Sequence, residues 1–331
     1  MVHGLLRGRG RAAAVGGLVL GAGVGCRAPP ALDGEGADAD GSPAQVSAES
    51  AGASADGPPT GAPLVAIPGG TFTMGRELGH AQDESPAHAV TLSPFWLEAA
   101  LVTVADFRWF VDQTGYRTSA ERFGFGKTAI EGMDDWAWDQ RPGLTWRAPW
   151  GDDAPPQRDD EPVVLVSWVD ASAYCAHLDR RLPTEAEWEY AMRAGSEGTR
   201  YPWGDRPQRA DGRYGLNYWQ GEDHRHNTRL DGYLYTSPVR AFPANAWGLH
   251  DPVGNVWQWV ADWYDRETYT RDANGVTDPE GPETGWARVA RGGSWWCSAG
   301  TCSGYGVFAR GKSDPDAAFS NNGFRCAADQ P

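Results

Sequence analysis

The sequence is poor in basic residues and in long apolar runs. Its 331 residues include 29 Lys and Arg against 44 Asp and Glu, which leaves a formal net charge of -15. This charge argues against a nucleic-acid-binding protein, because such proteins need a basic face to displace counterions. It also disfavours adsorption to anionic lipid. The mean hydropathy of -0.53 excludes a polytopic membrane protein.

The apolar run near the N-terminus, residues 12–25, is too short for a membrane span of about 20 residues. It follows three arginines and leads through small residues to Cys26, a pattern typical of a secretory signal. Residues 24–26 resemble a lipobox, in which the cysteine is lipidated, although Gly23 stands where leucine is usual. We expect residues 1–26 to be a signal peptide with lipidation at Cys26. A plain secreted protein and an uncleaved anchor are the alternatives.

The next segment, residues 27–63, consists almost entirely of Ala, Gly, Asp, Ser and Pro. Such a composition cannot bury enough apolar surface to offset the entropy of ordering, so it predicts a flexible acidic linker. The folded domain is predicted for residues 64–331. Export also agrees with the five cysteines, since lipidation of Cys26 would leave an even number for other roles.

Short, capped elements are predicted within the domain. Alternating residues at Gly70–Met74 and 89–92 indicate strands. Thr103, Ser167 and Thr184 each precede an acidic residue by three positions, which predicts helix N-termini. The third helix is expected to span Glu185 to Arg193, with Gly195 as its stop. After residue 196, Gly, Pro, Asn and Asp recur too often for long elements. The 17 Trp suggest that large rings build the core of a loop-rich α+β domain.

Six motifs in order resemble the sulfatase-modifying-factor (formylglycine-generating enzyme) family. They are IPGGTFTMG at 67–75, RLPTEAEWEY at 181–190, YPWGD at 201–205, VGNVW at 253–257, RGGS at 291–294 and NGFRC at 322–326. The resemblance implies a variant of the C-type-lectin-like fold with short strands and few helices. It also implies an oxidase that uses O2 to convert a cysteine of a target polypeptide, such as an unfolded sulfatase, to Cα-formylglycine. Fold alone does not decide activity.

The discriminating feature is the C-x4-C loop formed by Cys297 and Cys302 directly after RGGS. Two thiolates close together suit the soft ion Cu(I), and the resemblance implies that both cysteines bind copper. An ordinary disulfide in an oxidising compartment is the competing interpretation. The resemblance also assigns Ser294, Trp257 and Asn321 to the surroundings of the copper, with capping or core roles as alternatives.

The same resemblance pairs Cys175 with Cys326 as a structural disulfide, worth on the order of 4 kcal/mol in the entropic model. A second disulfide found in some members is expected to be absent here. Its two positions read Met192 and Val307.

Two structural calcium sites are implied by the family. The first would use Asn217, the Tyr218 carbonyl, Asp231 and the Tyr233 carbonyl. The second would use Asp251, the carbonyls of Gly254 and Val256, and Gln258. Oxygen ligands of these types suit Ca²⁺. In the second site an amide stands in place of the usual acidic last ligand, and hydrogen-bonded loops without metal are the alternative for both.

The predicted substrate groove departs from the family. Ser298 and Thr301 replace a His and a Tyr within the cysteine loop. Phe125 stands where the family places an acid that recognises the arginine of a Cys-x-Pro-x-Arg target. A non-catalytic extracellular binding module is therefore the alternative function. A non-haem-iron oxidase is a weaker rival, because only His224 and His226 lie close together and both are expected to be solvated.

Overall fold

The computed structural model describes residues 57–59, 61–77, 82–135, 137–152, 154–300, 302 and 304–330. Its strands are β1 (Leu64–Ile67), β2 (Gly70–Met74), β3 (His88–Leu92), β4 (Phe95–Glu98), β5 (Phe125–Thr128), β6 (Asp139–Pro142), β7 (Trp257–Trp263), β8 (Val276–Thr277), β9 (Arg288–Arg291), β10 (Arg310–Ser313), β11 (Asn322–Gly323) and β12 (Ala327–Ala328). Its α-helices are α1 (Val104–Thr114), α2 (Ser119–Phe123), α3 (Trp168–His177), α4 (Glu185–Arg193) and α5 (Thr268–Arg271). The signal peptide, Cys26 and most of the predicted linker lie outside the described residues.

Polar caps start four of the helices. Thr103, Ser167 and Thr184 form complete capping boxes as predicted, and Thr118 forms a fourth that the sequence analysis missed. Each box satisfies backbone N–H groups that a helix N-terminus leaves without partners. Helix α4 spans Glu185–Arg193 as predicted, with Ala194 as its left-handed C-cap at a φ of 47° and Gly195 next at a φ of 84°.

The strands form small sheets around one central sheet. That sheet has the order β10-β9-β7-β11, in which β7 runs antiparallel to β9 and parallel to β11. Around it lie the sheets β1-β4-β12 and β2-β3-β8 and the hairpin β5-β6. The predicted loop-rich α+β fold is confirmed. In the described part of the chain, no helix is long and apolar enough to cross a membrane.

A disulfide ties helix α3 to the C-terminal segment. Cys175 and Cys326 are bonded across 151 residues of sequence, which is the pairing that the resemblance implied. Both residues are buried. The backbone N–H of Cys326 also donates to Glu98 in β4, at 2.8 Å. The end of the chain is therefore locked against a central part of the core.

A buried charge network connects α4 to the central sheet. Glu189 accepts hydrogen bonds from Arg193 at 2.7 Å and from Arg291, the last residue of β9. The Arg291 guanidinium also donates to the backbone carbonyls of residues 307–309 at 2.9–3.0 Å. Arg291 lies before the cysteine loop and residues 307–309 lie after it. One side chain therefore holds both ends of the segment that carries the two thiols.

Candidate functional site

The two loop thiols lie side by side. The sulfur atoms of Cys297 and Cys302 are 3.1 Å apart, with Cys297 buried and Cys302 half-buried. Gly293 makes this approach possible, because its φ is 75° and a Cβ there would lie 2.5 Å from the Cα of Tyr305. Only glycine tolerates both the left-handed conformation and the contact. The backbone before the loop, at Gly293, therefore packs against the backbone after it, at Tyr305.

The proximity of the thiols changes their acidity. The pKa of Cys302 is raised well above its ordinary value, first by the hydrogen bond to Cys297 and then by burial, against the opposing N–H of Gly304. A thiol must lose its proton to bind a metal. This pair therefore favours the neutral form until a soft cation displaces the proton.

The three residues assigned to the copper surroundings lie beside the thiols. The Ser294 hydroxyl is 3.8 Å from the Cys297 sulfur and accepts a hydrogen bond from Asn321 at 3.0 Å. The backbone N–H of Trp257 donates to the Asn321 carbonyl at 2.8 Å. A Cβ built on Gly304 would lie 3.0 Å from the Trp257 ring and 3.2 Å from the Cys302 sulfur. The structure therefore brings Ser294, Trp257 and Asn321 together around the pair.

Tyr305 is a neighbour of the site that the sequence analysis missed. Its pKa is raised, chiefly by burial, and the two thiols add to the shift while Arg200 opposes it. The ring stacks on Tyr218 with centroids 4.8 Å apart, and the Arg200 guanidinium lies 5.0 Å from its centroid. The sequence did offer one signal for this residue, because Tyr305 lies only three positions after Cys302.

The two positions of the absent second disulfide are both apolar and buried. Met192 and Val307 belong to the same core cluster, so ordinary packing replaces the bridge. This leaves Cys297 and Cys302 as the only cysteines near this segment in the described part of the chain.

The first predicted calcium site is a loop whose single carboxylate is buried. Asp231 accepts hydrogen bonds from the backbone N–H groups of Tyr218 and Tyr233, both at 3.1 Å. Burial raises its pKa to about 6, and these N–H groups offset that shift only in part. The Asn217 amide donates to Tyr235 and Asn255, so its Oδ1 is available as a ligand. Carboxylate and amide oxygens fit a hard cation.

The second predicted calcium site does not fit a metal ion. The Oε1 atom of Gln258 already accepts hydrogen bonds from Trp188 and Arg325, both at 2.9 Å, which uses both lone pairs. Burial lowers the pKa of Arg325 to about 10, so a positive charge stands beside the amide at neutral pH. Asp251 accepts a hydrogen bond from the backbone N–H of Arg240 at 3.0 Å, as Asp231 does from backbone N–H groups in the first site. The predicted set of Asp251, Gly254, Val256 and Gln258 therefore lacks its last side-chain ligand here, which favours the alternative of a hydrogen-bonded loop without metal.

Two of the remaining predicted residues, Ser298 and Phe125, belong to the described part of the chain. Ser298 is buried, and Thr301 lies outside the described residues. Phe125 begins β5 and stacks on the exposed ring of Phe123, with centroids 6.3 Å apart. An apolar pair thus stands where the resemblance expected an acid.

The two histidines differ in exposure. His226 is exposed as predicted, whereas the prediction for His224 was wrong because this ring is buried. Among the described residues, no group of three His, Cys, Asp or Glu side chains is arranged to hold a metal ion.

The fold and site define a loop-rich α+β domain of the C-type-lectin-like kind with a thiol pair in a loop whose first cysteine is buried. PvdO from Pseudomonas aeruginosa shares this fold at a TM-score of 0.59 and 28% identity, over 80% of this chain and 94% of that chain. The family model described as "Sulfatase-modifying factor enzyme 1-like domain" matches residues 50–330. The chain belongs to this family.

Two relatives carry contrasting names. The formylglycine-generating enzyme of Thermomonospora curvata is 43% identical over 80% of this chain and 93% of its own length. The "inactive C-alpha-formylglycine-generating enzyme 2" of Mus musculus is 39% identical over 80% of this chain and 85% of its own length. Family membership therefore does not decide activity, which depends on the residues of the site.

Proposed function

We propose that this chain is a copper-dependent oxidase that converts a cysteine of a sulfatase-type polypeptide to Cα-formylglycine with O2. The observation that carries the proposal is the 3.1 Å approach of the buried Cys297 sulfur and the half-buried Cys302 sulfur beside Ser294. The name of the relative from Thermomonospora curvata supports the reaction. The name of the mouse relative supports the alternative, a non-catalytic binding module.

Cys297 and Cys302 would hold the copper, because paired thiolates suit Cu(I). Bound there, copper would supply the one-electron chemistry with O2 that protein side chains lack. The hydrogen bond from Asn321 fixes the Ser294 hydroxyl beside Cys297. Cys297 and Ser298 are buried, which limits the access of water to the first thiol, whereas Ala299 and Gly300 at the tip of the loop are exposed. These residues hold the thiols in place before the target cysteine arrives.

The reaction must also balance in electrons. Oxidation of the thiol-bearing CH2 group of the target cysteine to an aldehyde, with release of hydrogen sulfide, removes two electrons. One O2 accepts four electrons and supplies the aldehyde oxygen and one water, so a thiol reductant must provide the other two. An assay for this chain therefore needs O2, copper and an added thiol.

Copper binding is the first test. We expect the reduced full-length protein to retain one Cu(I) in competition with a chromogenic Cu(I) chelator. Because the Cys302 pKa is raised, copper must displace protons, and the apparent affinity should rise as pH rises. A chain that never retains Cu(I) at any pH would support the binding module.

Aldehyde formation is the second test. Copper-loaded protein, an added thiol and O2 should convert the cysteine of a suitable peptide to a product that hydrazine reagents label. The panel should include Cys-x-Pro-x-Arg and variants with apolar or acidic residues in place of arginine, because Phe123 and Phe125 offer no carboxylate to that side chain. Copper retention without any aldehyde across the panel would contradict the proposed oxidase.

We also propose a structural Ca²⁺ ion on Asn217, Tyr218, Asp231 and Tyr233. Without an ion, the raised Asp231 pKa means that the folded chain binds more protons than the unfolded chain, so this group's contribution to stability falls as pH rises through about 6. Calcium binds the carboxylate form and reverses this penalty.

Calcium should therefore raise the Tm at pH 7.5 and raise it much less at pH 5. Asp231→Asn should remove the calcium-dependent shift in Tm at both pH values, as measured by scanning calorimetry. The control is Asp211→Asn, which alters a carboxylate that is more than half exposed. An undiminished shift in Asp231→Asn would contradict the site.

Localisation follows from the N-terminal segment. We propose that the chain is exported and anchored through a lipid on Cys26, facing the periplasm or the cell exterior, or is secreted if the cysteine is not lipidated. Incorporation of labelled palmitate into the wild-type chain, but not into Cys26→Ala, distinguishes these two outcomes.

A further inference from the structure

A buried histidine contacts the residue that immediately precedes Cys297. His224 is 1% exposed. Its Nδ1 lies 2.8 Å from an oxygen of Asp135, and its Nε2 lies 2.7 Å from the backbone carbonyl oxygen of Trp296. The imidazole also stacks on the Trp296 ring, with centroids 3.9 Å apart and planes 23° from parallel. Trp296 immediately precedes Cys297.

Both hydrogen-bond partners of the ring are acceptors. A backbone carbonyl cannot donate, and an ionised carboxylate cannot donate. A neutral imidazole has one N–H and satisfies one of them, whereas the imidazolium has two and satisfies both. Stacking on an indole also favours a cation. Both contacts are therefore hydrogen bonds at the same time only when each ring nitrogen carries a proton.

The nearby charges agree with this choice. Asp135 contacts the ring from the connection between β5 and β6 and also accepts the backbone N–H of His224 at 2.9 Å. Arg225 carries the adjacent positive charge, but Asp134 pairs with it at 3.0 Å. Asp223 is a further acidic neighbour in sequence. The thiol loop presents the carbonyl and ring of Trp296 to the imidazole, and the Trp219 ring lies 5.1 Å from it.

The segment that carries His224 contacts the thiol loop at a second point. The backbone N–H of Trp219 donates to the carbonyl of Cys297 at 2.9 Å. Residues 219–224 therefore hold two consecutive carbonyls, those of Trp296 and Cys297. Gly221 permits the tight turn between them, because a Cβ there would lie 2.2 Å from the carbonyl oxygen of His226.

We propose that His224, as an imidazolium held between Asp135 and the Trp296 carbonyl, is a positioning residue that fixes Cys297 relative to Cys302. The inference rests on the proposed function only in taking these two thiols as the reacting groups. It does not require copper or a target peptide.

The charge state is tested by NMR of the reduced full-length protein labelled with ¹⁵N-histidine. Near neutral pH, His224 should show the ¹⁵N shifts of a ring protonated on both nitrogens, with the signal assigned by its loss in His224→Gln. Asp135→Asn should move the ring towards a neutral tautomer. A neutral His224 ring in the wild type would overturn the proposal.

The positioning role is tested by the rate at which iodoacetamide alkylates Cys297 in the reduced, copper-free protein. His224→Gln and Asp135→Asn should each raise that rate by about tenfold or more, because loss of a charge-assisted hydrogen bond favours local opening of the loop. His226→Gln, at an exposed neighbour, should leave it unchanged. If His224→Gln does not fold, as judged by circular dichroism, Asp135→Asn carries the test.

An unchanged alkylation rate in the folded variants would overturn the positioning role. Neither measurement depends on turnover. A failure of the proposed oxidase activity would therefore leave both results interpretable, and a failure of this inference would leave the aldehyde assay unaffected.

Discussion

Cys302→Ser should lower aldehyde formation by roughly 10³-fold or more, to below detection, because two thiols acting as one unit lose their function when either is removed. A serine hydroxyl is a hard, weakly acidic donor and does not replace a thiolate for Cu(I). Because the two sulfurs lie 3.1 Å apart, the substitution removes one of the two proposed copper ligands. Hydrazine labelling of the peptide product measures the effect.

The matched control lies in the same loop. Ala299 is exposed, so Ala299→Ser adds a hydroxyl without removing a thiol and should retain activity. Cys297→Ser and the double variant should be no more impaired than Cys302→Ser, since the effects of a joint unit do not add. Retention of wild-type turnover in Cys302→Ser, with its fold intact, would refute the paired-thiol proposal.

Glu189→Gln should produce the largest loss of stability among single substitutions of the charge network. Its carboxylate is fully buried and is the shared partner of Arg193 and Arg291. Removing one charge of a buried pair leaves the other uncompensated, which costs about 3–5 kcal/mol. In a domain of this size, 1 kcal/mol lowers the Tm by roughly 2–4 °C. Calorimetry should therefore show a fall of roughly 6–20 °C.

A surface ion pair provides the comparison. Asp159 and Arg108 lie 2.6 Å apart, but both side chains are largely exposed. Exposed pairs contribute about 0–1 kcal/mol, so Asp159→Asn should change the Tm little. If the two variants lose equal stability, the network is not the structural element described above.

The network also has a pH signature. Burial alone would raise the Glu189 pKa, but Arg193 and Arg291 outweigh burial and hold it below its ordinary value. A carboxyl group whose pKa is lower in the folded state than in the unfolded chain stabilises the fold at pH values above its unfolded-state pKa. This contribution is lost as the pH falls through its folded-state pKa. Wild-type stability should therefore decline more steeply in acid than that of Glu189→Gln.

Much of the local structure was predictable because its causes lie within a few residues. Thr103, Ser167 and Thr184 start helices through contacts three positions away, and the alternating segment of β2 forms a strand. The end of α4 at Arg193 was also predictable, but its C-cap was not, because Ala194 adopts a left-handed conformation that alanine seldom takes.

The amino-acid sequence alone determined the family, the loop-rich fold class and the identity of the candidate thiols, because the motifs and the C-x4-C spacing are local. Only the tertiary structure decided what surrounds them. The buried imidazole of His224, the clamp of Arg291 on both ends of the loop and the loss of Gln258 as a ligand all depend on residues distant in sequence. Hydrogen bonds and buried charges act over a few ångströms in space, and sequence spacing does not encode which distant groups come that close.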